Sequence, residues 1–446
     1  MPTAPSRFTS PTRRSVLATG AAAAATLLTG CATGGTGAKD KPRDLKAGAE
    51  LKGSITVWSW DVAAQALERL ARAFESAHPG TKIKVLDTGY DNAYDKITVG
   101  LKANTGLADV LTVEGSQLPS YLGNFPAGFY DLTKQTAALA KDFDQAAWAT
   151  VTDRRKQVLG LPWDIGPCAL FHRTDYFRQA GVDPASLTTW DAYAEAGTAV
   201  KKKTGRKFLV MDSDDTGPLP LLLQQQGRGY FRDGKVAVAS PEAVRALTLM
   251  KELADRELIA YEKGWDGLVS ATKTGKVATT LTAAWWTGTL TSEMPELKGR
   301  FGVVPLPAFD EGGTRTSNEG GSTLCIPAQS KNPELAWAFV QFVLTDKANQ
   351  VSMLKEEGLF PAYLPALDDP YLSAPQEYFG GQPALKVFAD LARTIPATET
   401  TEDGAKAGEI MKSAVNKVLL RGGDPQSALR SAADQIAAAT GREIAG

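Results

Sequence analysis

The side chains able to do chemistry in this chain are carboxylates and tryptophans rather than nucleophiles or soft metal ligands. Histidine occurs only as His78 and His172, and cysteine only as Cys31, Cys168 and Cys325. Neither a Cys-x-x-Cys nor a His-Glu-x-x-His spacing is present, so no metal site and no cofactor are expected. A nucleophile elbow and a Walker sequence are missing too, and Gly227-Arg228-Gly229 lacks the third glycine of a dinucleotide fingerprint. What remains includes Trp60-Asp61, Glu114, Trp163-Asp164 and Trp285-Trp286. Two carboxyls such as Glu114 and Asp164 could act as acid and base on a glycosidic bond if the fold set them roughly 5 to 10 Å apart. Flat aromatic faces with carboxylates beside them could instead hold a ring that has apolar C–H faces and a belt of hydroxyls.

Periodicity indicates the elements that must position these groups. Residues 54–60 are β-branched and aromatic and read as a first strand. Leu67, Leu70 and Phe74 then fall at helical spacing, with Glu68, Arg69 and Arg72 opposite. His78-Pro79-Gly80 stops that helix, residues 82–86 alternate as a second strand, residues 94–102 are helical, and 108–113 form a buried strand. Strand, helix, strand, helix, strand implies a parallel sheet covered by helices, with ligands beyond the carboxyl ends of the strands. Trp60, Asp61, Tyr90 and Glu114 then share one rim. The pattern restarts after residue 158, with strands expected at 168–171, 208–211 and 277–281 and helices at 190–202, 241–256, 334–344 and 427–439. Two α/β blocks suggest two lobes.

Composition agrees with a large globular body. The chain has 446 residues, 43% hydrophobic and 22% charged, which suits two or three domains and neither a disordered nor a collagen-like chain. A formal net charge of −1 argues against nucleic acid as a partner. Residues 7–14 carry three arginines and no acid, and 15–28 are apolar or small, an export signal too short to span a membrane. Leu28-Thr29-Gly30-Cys31 resembles a lipobox, with Cys31 the acylated residue, and the Arg13-Arg14 pair resembles a twin-arginine signal. Residues 1–30 are therefore expected to be removed and 31–52 to form a flexible tether. Taking the three arginines from 49 basic residues leaves 46 against 50 acidic, a mildly acidic mature body. Cys168 and Cys325 could pair in an exported protein or sit as small buried hydrophobes within strands, as both have apolar neighbours.

Seven segments in order resemble the extracellular solute-binding proteins of ATP-driven sugar importers, the family that includes maltose-binding protein. They are residues 55–61, 74–85, 161–167 with 177–183 and 189–190, 275–278 with Trp285-Trp286, 301–307, 320–322 and 330–337. The resemblance implies two α/β lobes, each a mainly parallel sheet flanked by helices, joined by a hinge of two or three crossing segments. Crossings would lie near Gly166, at 303–307 and at 351–360, giving one lobe from 53–166 with about 305–350 and another from 167–304 with about 351–446.

It also implies site residues. Trp285 or Trp286 would stack on a sugar face, only one of the two reaching the cleft. Trp60, Asp61 and Glu114 would contact ligand from the first lobe, and Trp163 and Asp164 would lie at the cleft floor. Tyr90, Asn92 and the amides of Gly320 and Gly321 are further candidates. The stretch 400–408 lacks the aromatic pair that maltose-binding protein has there, which weakens a long maltodextrin as ligand. The function implied is a non-enzymatic, monomeric, extracellular receptor, lipid-anchored to the membrane, that delivers a carbohydrate to the transmembrane subunits of an ABC permease. A receptor for a polyamine, iron complex or peptide, and a secreted carbohydrate hydrolase, are the competing readings.

Overall fold

A computed structural model describes residues 45, 46, 48 and 50–446. The export signal, Cys31 and most of the expected tether lie outside the described residues.

Two five-stranded sheets carry the architecture. Their strands are β1 (Gly53–Ser59), β2 (Thr81–Asp87), β3 (Val110–Glu114), β4 (Leu161–Pro162), β5 (Cys168–Arg173), β6 (Lys207–Asp212), β7 (Ile259–Glu262), β8 (Val277–Ala283), β9 (Phe301–Pro305) and β10 (Ser322–Cys325). The first sheet runs β2-β1-β3-β10-β4 and the second β9-β5-β8-β6-β7. In the first, β1 pairs in parallel with β2 and β3, while β10 is antiparallel to β3 and β4. In the second, β6 is parallel to β7 and β8, while β5 is antiparallel to β8 and β9. The parallel halves are the strand–helix–strand runs, whose crossovers return each strand in the same direction. The antiparallel halves hold the strands at the crossings: β4 and β9 send the chain to the other sheet, and β5 and β10 receive it.

The main helices are α1 (Asp61–Ala77), α2 (Tyr90–Ala103), α3 (Trp190–Thr204), α4 (Pro241–Asp255), α5 (Gly264–Lys273), α6 (Pro333–Thr345), α7 (Lys347–Glu357), α8 (Gly404–Arg421) and α9 (Pro425–Thr440). Helix α1 buries Ala63, Leu67, Leu70 and Phe74 at the spacing its sequence announces, and Gly80 at φ +93° completes its exit. Phe74 meets Phe339 and Phe342 of α6 edge-on, at 5.5 and 5.4 Å between ring centroids. Helix α4 begins as its Ser-Pro-Glu signal indicates, with Ser240 Oγ accepting the Ala243 N–H at 3.2 Å. Tyr193, Phe208, Leu247 and Met411 belong to the core of the second lobe.

Three segments pass between the sheets and hydrogen-bond to one another. Residues 163–167 link β4 to β5, 306–321 link β9 to β10, and 358–362 follow α7. The first lies between the other two: Ile165 N–H donates to the Phe360 carbonyl at 2.9 Å, and Glu319 N–H donates to the Gly166 carbonyl at 2.8 Å. Bridges Asp164–Pro361 and Pro167–Asn318 complete the ribbon. A side chain at Gly166 would place its Cβ 1.8 Å from the Glu319 carbonyl oxygen, so only glycine permits this approach.

The boundary expected at residues 350–351 falls inside α7. That helix stays with the first lobe, because Arg69 of α1 clamps Glu357 through Nε at 3.0 Å and Nη2 at 2.6 Å. The chain therefore crosses after Glu357. Cys168 and Cys325 are both free and buried, one in each sheet.

Candidate functional site

The strand register brings both carboxyl rims to the crossing ribbon. Glu114, the last residue of β3, pairs with Ser322, the first residue of β10 after a crossing. Ala283, at the end of β8, pairs with Cys168, the first residue of β5 after another. The ends of β1 and β3 on one side, and of β6 and β8 on the other, therefore open onto the same strip of backbone.

A chain of polar contacts follows that strip. Tyr94 Oη donates to Glu114 Oε2 at 2.8 Å, and its ring lies 6.0 Å from that of Trp60 at 49°. Asp164 Oδ1 accepts the Ser322 N–H at 2.8 Å. The Gly115 N–H donates to the Gly321 carbonyl at 2.9 Å. On the second lobe, Thr282 Oγ1 donates to Glu319 Oε2 at 2.8 Å, and Trp285 Nε1 donates to the Glu319 carbonyl at 3.1 Å.

The electrostatics are acidic. Burial pushes Asp164 up to about 6, Glu114's charge adds to the rise, and the Ser322 N–H opposes it. Glu319 goes up to about 7, mainly by desolvation, with Thr282 opposing and Asp215 adding. Glu319 as a whole residue is exposed. Its carboxylate, however, is held by Thr282, and the direction of its shift follows from that enclosure. Such groups accept hydrogen bonds from ligand hydroxyls when ionised and can donate one when protonated.

The candidate residues divide into three groups. Glu114, Asp164, Trp285, Gly320 and Gly321 meet at the crossing, and Trp60 joins them through Tyr94. Gly320 and Gly321 have φ of +79° and +100°, and the Gly320 carbonyl accepts from Asn318 Nδ2 at 2.8 Å. Asp61 and Asn92 are exposed in the first turns of α1 and α2 on the first rim, where Tyr90 opens α2. Asp61 has φ +45°, unusual for a non-glycine residue, and follows Trp60, which occupies the N-cap of α1. Trp163 and Trp286 form the third group: Trp286 is the member of its pair that turns inward, and Trp163, expected at the cleft floor, is buried as well. Each is 1% exposed and belongs to the core shared by the lobes. Trp163 Nε1 is turned to Met353 Sδ at 3.3 Å, and Trp286 Nε1 is buried without a hydrogen-bond partner. Asp164 and Trp285 take the rim and their neighbours the interior: along the extended stretch 163–164 successive side chains face opposite ways, whereas Trp285 and Trp286 part at the turn that opens the helix Trp286–Glu293.

Three residues here escape sequence reasoning. Tyr94 sits one turn beyond Tyr90 on α2, a spacing that would have shown it. Glu319 precedes the two glycines. Trp265, early in α5 after β7, lies 5.7 Å from Trp285. A hollow of about 520 Å³ is lined by Lys201 and Arg256, and one of about 490 Å³ by Gln226, Arg245 and the start of the crossing segment at Phe309 and Asp310; neither is lined by a candidate residue named above. Among the described residues, no group of three His, Cys, Asp or Glu could hold a metal ion, and no helix is long and apolar enough to cross a membrane.

Comparison with known proteins adds an independent line. Residues 59–350 match the family model described as bacterial extracellular solute-binding protein. The lactose-binding protein of Rhizobium radiobacter is 29% identical over 363 residues, covering 78% of this chain and 84% of that protein. The arabinooligosaccharide-binding protein of Bacillus subtilis (strain 168) is 27% identical over 398 residues, covering 86% and 91%. The fold matches the GacH receptor of Streptomyces glaucescens, a structure solved unliganded and with acarbose, at a TM-score of 0.76 and 23% identity, covering 88% of this chain and all of that one (100%).

Proposed function

Because the chain belongs to the bacterial extracellular solute-binding protein family, we propose that it is the extracellular receptor of an ABC-type sugar importer, capturing a mono- or oligosaccharide between its lobes and passing it on unchanged. The observation that carries this reading is the half-buried indole of Trp285, fixed through Nε1 to the crossing ribbon beside the carboxyls of Glu114 and Asp164. An indole face complements the C–H face of a pyranose or furanose, and carboxylates accept its hydroxyl protons. The relatives named for lactose and arabinooligosaccharides support the same class of ligand.

The three-stranded crossing is the hinge in this reading. The first lobe comprises residues 53–166 with about 306–357, and the second 167–305 with the remainder. Closure brings the two rims onto the ligand. Glu114, Asp164 and the Gly320–Gly321 segment hold it from the first lobe and the hinge, with Asp61, Asn92 and Tyr90 at the outer edge. Cleavage before Cys31 and acylation of its thiol would keep the receptor, a monomer, at the outer face of the membrane, beside its permease.

A melting panel of saccharides and polyamines tests the assignment. Ligand at 100 times its dissociation constant adds about 2.7 kcal/mol of stability. Stabilisation by at least one saccharide, recovered chemically intact, is expected. Stabilisation by a polyamine alone would move the assignment to a non-sugar solute, and turnover of the sugar would make the protein a hydrolase.

A further inference from the structure

We propose that Trp265 is a second stacking platform of the same site and that the receptor therefore selects saccharides of at least two rings. This rests on the sugar reading above and goes beyond it, because nothing in that reading uses Trp265 or fixes the length of the ligand.

Position is the first ground. Strand β6 is parallel to both β7 and β8, so all three end on one rim. Trp265 follows β7 by three residues and Trp285 follows β8 by two, with the end of β6 between them. The two indoles nevertheless reach 5.7 Å between centroids, closing over that gap.

Exposure is the second ground. Trp265 is 48% exposed, although large apolar side chains are normally buried. It is also held in place rather than loose. The fully buried Trp286 meets it edge-on at 5.3 Å and 90°, and Gly264, at φ +64°, starts the helix that carries it. A rigid indole backed by a buried one and open to solvent is a surface for an apolar face to cover.

Geometry sets the ligand length. The planes of Trp265 and Trp285 are inclined at 46°. One sugar ring can lie flat on only one of them, so covering both requires a second ring joined at an angle to the first.

The test is titration calorimetry of wild type, Trp265→Ala, Trp265→Phe and Trp285→Ala with galactose, lactose, arabinose, arabinobiose and arabinotriose. For the sugar series that binds, the two-ring member should bind at least about tenfold more tightly than the single ring, the worth of one stacked aromatic contact. W265A should remove that advantage, weakening the two-ring member more than the single ring, W265F should restore most of it, and W285A should weaken every member. Monosaccharide binding as tight as that of the disaccharide, or a W265A protein indistinguishable from wild type, would overturn the second platform while leaving the sugar reading intact. No heat from any saccharide would overturn both. Melting curves distinguish loss of a contact from loss of fold: because Trp265 packs on Trp285 and Trp286, W265A should lower the melting temperature modestly and W265F less, both keeping a single cooperative transition.

Discussion

Asp164 concentrates the tension at the scale of single residues. It is 7% exposed, accepts one backbone N–H, and feels the charge of Glu114. Its carboxyl goes from an ordinary 3.8 to about 6 in the folded chain, so the native state binds the proton more tightly than the unfolded state. The sign follows: between pH ~6 and ~4 this group adds stability as the pH falls, and above pH 6 its charged form costs on the order of 3 kcal/mol. Glu319, going from 4.5 to about 7, acts in the same direction. Asp164→Asn keeps the Ser322 hydrogen bond and removes the charge. Melts across pH 4 to 8 should show D164N more stable than wild type at pH 7, with the difference vanishing toward pH 4, while sugar affinity falls. A variant less stable than wild type at pH 7, with an unchanged pH profile, would contradict the placement of this carboxyl. Trp286 supplies a second case, since its Nε1 is a buried donor without a partner. Trp286→Phe should therefore cost less than the ~3–5 kcal/mol typical of Trp→Ala at the same position, as it deletes volume and an unsatisfied group together. Equal losses in the two variants would contradict this. The sequence singled out the pair Trp285-Trp286 as a stacking candidate, but which member faces outward depends on the turn into the helix Trp286–Glu293, a geometry with no local sequence signature.

At the scale of elements, the crossing ribbon ties the two sheets together and is the hinge of the proposed closure. Gly166→Ala would drive a methyl into the Glu319 carbonyl and break the pairing of two crossings. We expect a loss of at least about 3 kcal/mol, the upper end of overpacking costs, together with weakened sugar binding. A melting curve matching wild type would show that the crossings are not paired as described. Strands β1, β2 and β3 and the helices between them were legible because alternation and helical spacing are local. The short β4 was not, and of β10 only the strand setting of Cys325 was, because their pairing joins segments more than 150 residues apart and is dictated by where the chain returns. Helix α7 shows the same limit, since its membership in the first lobe comes from Arg69, 288 positions distant from Glu357.

The whole molecule adds a tie between the lobes away from the hinge. Arg154, in the first-lobe loop before β4, pairs with Glu402, which also binds Arg442 Nη2 at 2.8 Å beside the start of α8. Arg154 is 73% exposed at its side chain and Arg442 only 13%. Arg154→Ala should therefore weaken sugar binding by no more than about 1 kcal/mol, and less at high salt, whereas Arg442→Ala should lower the melting temperature measurably. A large, salt-independent loss in R154A would contradict a screened surface tie. Two lobes were legible from the restart of the α/β pattern. Their interleaving came only from resemblance, as periodicity carries no information about which distant segments share a sheet. The central claim, that Trp285 and the crossing carboxyls hold a sugar without altering it, is tested most directly by titrating the full chain calorimetrically with lactose and arabinooligosaccharides. A saturable one-site isotherm that returns to baseline, weakened at least about tenfold by Trp285→Ala, is the predicted result. Continuous heat from turnover, or a W285A isotherm identical to wild type, would contradict it.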